Sequence, residues 1–138
     1  MWRDGDVELE VIPSCQASGL GLIAWSPLNG GLLGGVLGKQ RQAKRRVEDR
    51  LTKALATHRD AIEQYEKLAA DLGHAPGDIG LAWLLHQPAV TAPIVGPRTH
   101  EQLDAAIRAL DVTLDEQALS RLDEIFPGSK TAPEQYAW

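Results

Sequence analysis

The sequence predicts an α/β chain with two parallel strands and about five helices. Three observations carry that reading. Two short apolar runs, Leu20 to Trp25 and Val90 to Val95, are bounded by turn residues, as buried strands are. Each run is followed by a loop and then by helical patterning, the order found in parallel strand–helix units. Finally Leu51, Leu55, His58, Ile62, Tyr65, Ala69 and Leu72 recur in steps of four and three, which marks one apolar face of a long helix.

The elements follow in order. Residues 1–6 are a polar lead-in. Val7 to Ala17 is a short helix candidate with Leu9, Ile12 and Gln16 along one side. Pro13 is expected to begin or kink it, because an interior proline removes a helix hydrogen bond. Gly19 supplies the left-handed residue that ends a helix. The first strand stops at Ser26-Pro27, since Pro27 has no N–H for a ladder. A Gly-rich loop runs to Gly38, and Lys39 to Arg50 reads as a basic mobile loop. The long helix from Leu51 to Leu72 ends at Gly73. Its heptad-like spacing suits a coiled coil or, more simply, a helix lying on a core. Pro76 fits the first turn of a helix over Gly77 to His86, with Ile79, Ala82, Trp83 and His86 on one side. Thr99 to Leu110 follows the second strand, with Leu103, Ala106, Ile107 and Leu110 as its buried side. Thr113 and Glu116 have capping-box spacing, and Leu119, Leu122, Ile125 and Phe126 form a final apolar stripe. Residues 127–138 are a tail. The whole reads as a single partial domain over residues 1–138.

The chemistry lies in two loops. After the first strand come Ser26-Pro27-Leu28, then Gly30, Gly31, Gly34 and Gly35. Glycines let backbone amides approach a ligand closely. A Gly-rich loop alone is more often only a loop. After the second strand come Gly96, Arg98 and a Thr99-x-x-Gln102 capping box opening a helix. Helix N-termini favour anions, and the arginine fork suits phosphate. Together the loops suggest two strand ends facing one polyanionic ligand.

These two segments, Trp25-Ser26-Pro27-Leu28-x-Gly30 and Gly96-x-Arg98-x-x-x-Gln102-Leu103, resemble the last two strand–loop units of the aldo-keto reductase family. The resemblance runs from about Val7 to Phe126 and implies the C-terminal part of a (β/α)8 TIM barrel. It implies that NADP(H) is the cofactor. Ser26 and Leu28 would line the pyrophosphate beside Pro27, Gly30 would turn the loop, Arg98 would meet the 2′-phosphate, and Gln102 would lie near the adenine. The family often places an Asn four residues after this Gln, where the present chain has Ala106. The family's catalytic Asp, Tyr, Lys and His come from the first half of the barrel, which has no counterpart here. Tyr65 and Tyr136 do not stand in that catalytic context, so no catalytic residue is assigned.

Composition narrows the classes. Across 138 residues, 43% are apolar, enough for a core, and the net charge of −5 gives no whole-chain case for nucleic acid. Lys39 to Arg59 holds eight Lys or Arg against Glu48 and Asp49. That basic stretch is read as a solvated loop and helix face, because no aromatic is interleaved for base stacking. The single cysteine, Cys15, is read as a buried structural thiol. No metal-ligand spacing and no membrane-length apolar run is present, so a soluble cytoplasmic chain is expected.

Two parallel strands cannot close a barrel and leave apolar faces and edges open. Self-association is therefore expected to complete the fold, and the protein is expected not to be a monomer. Two functions are weighed. One is the NADP(H)-binding half of an oxidoreductase lacking its catalytic half. The other is a truncated, non-catalytic protein acting through self-association or partner binding.

Overall fold

The computed structural model describes residues 7–38 and 49–128. The basic loop expected over residues 39–50 lies outside these apart from its last two positions, and residues 1–6 and nearly all of the tail lie outside too. A π-helical turn, Val7–Val11, leads into α1, Ile12–Ala17. Pro13 sits where the π-helical turn gives way to α1, a change of helix type at the residue that has no N–H to continue the ladder. Strand β1 is Leu22–Ala24. The long helix α2, Asp49–Asp71, is followed by α3, Pro76–Leu85, and strand β2, Val90–Pro93. Helix α4 is His100–Arg108 and α5 is Glu116–Ile125.

Helices α1 and α2 stop in the same way. The Leu20 amide donates to the Cys15 carbonyl at 2.8 Å and the Gly19 amide to Gln16 at 3.3 Å. At the end of α2 the His74 amide donates to Ala69 and the Gly73 amide to Ala70, both at 3.0 Å. Gly19 and Gly73 have φ of 64° and 75°, the left-handed geometry this paired C-terminal motif requires.

The strands pair parallel, with Leu22 opposite Val90, Ile23 opposite Ala92 and Ala24 opposite Pro93. One residue of β2, Thr91, is therefore extra. It lies against Gly21, where a Cβ would fall 1.9 Å from the Thr91 Oγ1. Both strands are shorter than the apolar runs that encode them.

The core is helical. Leu55, Ile62, Tyr65 and Ala69 of α2 meet Ile79 and Ala82 of α3 and Ala118, Leu122 and Ile125 of α5, together with Phe126. Leu32, Leu33 and Val36, from the Gly-rich segment, and Val112 and Leu114, ahead of α5, complete it. The expected stripe of α2 is the inward one. A kink at His58 (φ −124°, ψ 22°) divides the helix.

Three expectations fail. The side chains of Leu103, Ile107 and Leu110 are 40%, 53% and 67% exposed, so they are not the buried side of α4. That helix turns Ala105 and Ala106, with Ala109 just beyond its end, inward and packs against α3. Small side chains permit the close approach, and the larger ones are left outside. The cap of α5 is Asp115, not Thr113: its Oδ1 accepts from the Ala118 amide at 2.7 Å. Val112 and Leu114 are both buried while Thr113 between them is exposed, an extended alternation that delays the helix. In α1 no residue is buried, and Cys15 is half-buried.

Candidate functional site at the strand ends

The parallel pairing sends both loops out of the same end of the sheet. The ladder continues one residue past β2, where the Ile94 amide donates to the Ala24 carbonyl at 2.8 Å. Trp25, next in the chain, is 82% exposed.

The first loop turns at once. Ser26 has φ 54° and Asn29 φ 48°, left-handed values that cost energy for residues with a Cβ. Local bonds hold them. The Ser26 Oγ accepts from the Gly30 amide at 3.2 Å, and the Ser26 carbonyl accepts from the Asn29 amide at 2.9 Å. Gly30 and Gly31 continue with φ of 64° and 97°. Ser26, Pro27 and Leu28 are half-buried and Gly30 is exposed.

The loop rests on α3. A Cβ on Gly77 would lie 3.7 Å from Leu28 Cδ1, and one on Gly80 only 3.0 Å from Leu28 Cδ2. Leu28 therefore directs its side chain into the core, and its carbonyl accepts from the Gly31 and Leu33 amides at 3.0 and 3.2 Å. The expected loop to Gly38 ends earlier, because residues 36–38 are helical; there Glu66 of α2 accepts from the Leu37 amide at 2.9 Å and from the Gly38 amide at 3.4 Å. Sequence reasoning missed Glu66, because a lone carboxylate on a charged helix gives no signal of its target.

The second loop brings Gly96, Arg98 and Gln102 to the exposed N-terminus of α4. Thr99 caps this helix, its Oγ1 accepting from the Gln102 amide at 3.3 Å. The Gln102 side chain reaches back and accepts from the Arg98 amide at 2.7 Å. The expected capping box thus forms, with its return bond one residue earlier than the usual pattern. Gln102 fixes the backbone that carries Arg98. Glu101 lies in the same turn. Its own amide and the Thr99 hydroxyl hold its carboxyl below the usual range. Ala106 is half-buried and offers no polar group to a base.

The geometry is a pair of loops, one glycine-rich and one cationic, at the C-terminal ends of two adjacent parallel strands. The Aldo/keto reductase family matches residues 1–126. The chain belongs to the aldo-keto reductase family. An uncharacterized oxidoreductase of Bacillus subtilis, YrpG, is 43% identical over 132 residues, covering 95% of this chain and 40% of the relative. A putative aryl-alcohol dehydrogenase of Schizosaccharomyces pombe, C977.14c, is 35% identical over 120 residues, 85% of this chain and 34% of the relative. Norsolorinic acid reductase stcV of Emericella nidulans is 31% identical over 122 residues, 88% of this chain and 30% of the relative. The chain thus spans 30% to 40% of the length of these aldo-keto reductase relatives.

In this member of the aldo-keto reductase family Tyr65 is buried, and its hydroxyl donates to the Pro76 carbonyl. Burial pushes its pKa up. It has no access to a substrate. Tyr136 lies outside the described residues. Among the described residues no three His, Cys, Asp or Glu gather as metal ligands, and no helix is long and apolar enough to cross a membrane.

Proposed function

We propose that these residues form the NADP(H)-binding part of an aldo-keto reductase-type oxidoreductase. The observation that carries the reading is the shared exit of the two loops, fixed by the Ile94–Ala24 hydrogen bond. The donor set fits a dinucleotide phosphate. Gly30 and Gly31 leave the surface of one loop without side chains, so a phosphate can approach its backbone closely; their own amides are bonded to Ser26 Oγ and to the Leu28 carbonyl. The other presents a helix N-terminus and Arg98, whose fork pairs with a phosphate monoester. Ser26, Pro27 and Leu28 would flank the pyrophosphate, Gly96 would let the chain pass close to it, and Arg98 would take the 2′-phosphate. When bound, the nicotinamide supplies a hydride. The proton for a reduced carbonyl must come from a group outside this set, since none of these residues is a suitable acid. The names of the relatives, an aryl-alcohol dehydrogenase and a norsolorinic acid reductase, support alcohol–carbonyl interconversion as the class of reaction. Equilibrium dialysis against NADPH tests the reading. Saturable one-to-one binding supports it, and its absence at millimolar nucleotide refutes it.

A second reading rests on a separate observation. Ile23 and Ile94 are 61% and 50% exposed, so one face of the strand pair lacks cover. Self-association through that face, completing the barrel with a second copy, would bury them. It accounts for a chain that acts through assembly and not through catalysis. A light-scattering mass near 15.0 kDa at high micromolar concentration would eliminate it.

A further inference from the structure

The Gly-rich segment is held near its start by Leu28 packing over α3 and at its end by Glu66 of α2. Near its start, Leu28 lies over Gly80, at the spot where Tyr65 also closes in: a Cβ there would be 3.0 Å from both Leu28 Cδ2 and the Tyr65 hydroxyl. At its end, where residues 36–38 turn helical, the Glu66 carboxylate takes two backbone amides, those of Leu37 and Gly38. Between these anchors the chain passes through positive φ at Asn29, Gly30, Gly31 and Gly35. The glycines adopt this geometry freely, whereas at Asn29, which has a Cβ, it persists only where its surroundings over-determine it.

Glu66 differs from its neighbours on α2. Glu63 pairs with Arg59 at the surface, and Lys67 is exposed. Glu66 is half-buried and turned to the loop. A carboxylate accepting from amides makes stronger bonds than a neutral acceptor. The two amides it holds follow directly on Leu32, Leu33 and Val36, the side chains that the loop contributes to the core.

We infer that Glu66 is a positioning residue: its carboxylate clasps the Leu37 and Gly38 amides and so holds the Ser26–Gly31 turn in the shape that receives the nucleotide phosphates. This rests on the nucleotide reading above. Glu66 itself touches no ligand and acts through the loop. The clasp works from the end of the loop remote from Ser26, so its loss should loosen the turn while leaving the helical core intact.

The test uses the 138-residue chain with Glu66→Ala and Glu66→Gln. Glutamine keeps the length and one acceptor oxygen, so it should fall between parent and alanine. Amide hydrogen exchange without nucleotide is read first. The Gly30 and Leu33 amides, bonded to Ser26 Oγ and the Leu28 carbonyl, should exchange about tenfold faster in Glu66→Ala, the low end for a hydrogen bond to a charged group. The Phe126 amide, bonded to Leu122, should keep its parent rate. Unchanged loop amides overturn the inference, as does equal acceleration at Phe126, which would mean general loss of stability. NADPH affinity is read second and should fall about tenfold in Glu66→Ala. Equal affinity of parent and variant overturns the link to binding. A parent that does not bind NADPH refutes the nucleotide reading instead, and the exchange rates then decide the clasp alone.

Discussion

The backbone amide of Ile94 donates to the carbonyl of Ala24 at 2.8 Å. This bond lies beyond the last residue of β2 and just before the left-handed turn at Ser26. It sets where two loops from distant parts of the sequence leave the sheet. One loop brings exposed glycines and the other brings Arg98. The proposed nucleotide binding rests on this arrangement.

The beginning of the same ladder depends on Gly21. Its missing Cβ leaves room for Thr91, the extra residue of β2. Gly21→Ala should destabilise the chain by about 1–3 kcal/mol, the usual cost of forcing atoms into a filled space. Adding Thr91→Ser, which removes a methyl but keeps the Oγ1, should restore little. Adding Thr91→Gly should restore most of it. Urea midpoints for the single and double variants check this.

The cap of α5 gives a second contrast. Asp115→Ala should cost about 0.5–2 kcal/mol, the range for loss of an N-cap. Thr113→Ala should change the thermal midpoint hardly at all, because Thr113 is exposed and outside the helix. A larger loss from Thr113→Ala would restore the capping box read from the sequence.

Tyr65 links stability to alkaline pH. Its folded pKa lies above the ordinary phenol value of 10.0, first because burial disfavours the phenolate. The stabilisation is complete below pH 10 and is lost as pH rises from there towards the folded value, since the unfolded chain gives up this proton first. Tyr65→Phe should remove that alkaline dependence. It should also cost about 1–3 kcal/mol at neutral pH by leaving polar backbone without its partner. Urea unfolding of parent and variant at neutral pH and above pH 10 measures both effects.

The parts of the fold legible in the sequence are those with a strong local period or a dedicated residue. The stripe from Leu51 to Leu72 names the inward face of α2. Gly19 and Gly73 mark helix ends, and Thr99 marks the start of α4. What was hidden depended on partners distant in sequence. Leu103, Ile107 and Leu110 have helical spacing, yet α4 meets α3 through alanines. Leu32, Leu33 and Val36 stand in a stretch whose glycines signal a loop, and nothing local shows that they fill the core. In the candidate site the residue types of Ser26, Gly30, Gly96 and Arg98 were readable, because strand-end loops of glycine and arginine have a direct chemical meaning. Glu66 and the inward turn of Leu28 were not, because each is defined by what lies across from it in the fold.

The most direct measurement is equilibrium binding of NADPH and of NADH to the parent chain and to Arg98→Ala. The two nucleotides differ only in the 2′-phosphate that Arg98 is assigned to hold. The account predicts that the parent prefers NADPH. It also predicts that Arg98→Ala weakens NADPH about tenfold or more, as loss of a charge-assisted bond should, and leaves NADH nearly unchanged. Equal losses for both nucleotides, or a parent that binds neither, would contradict it.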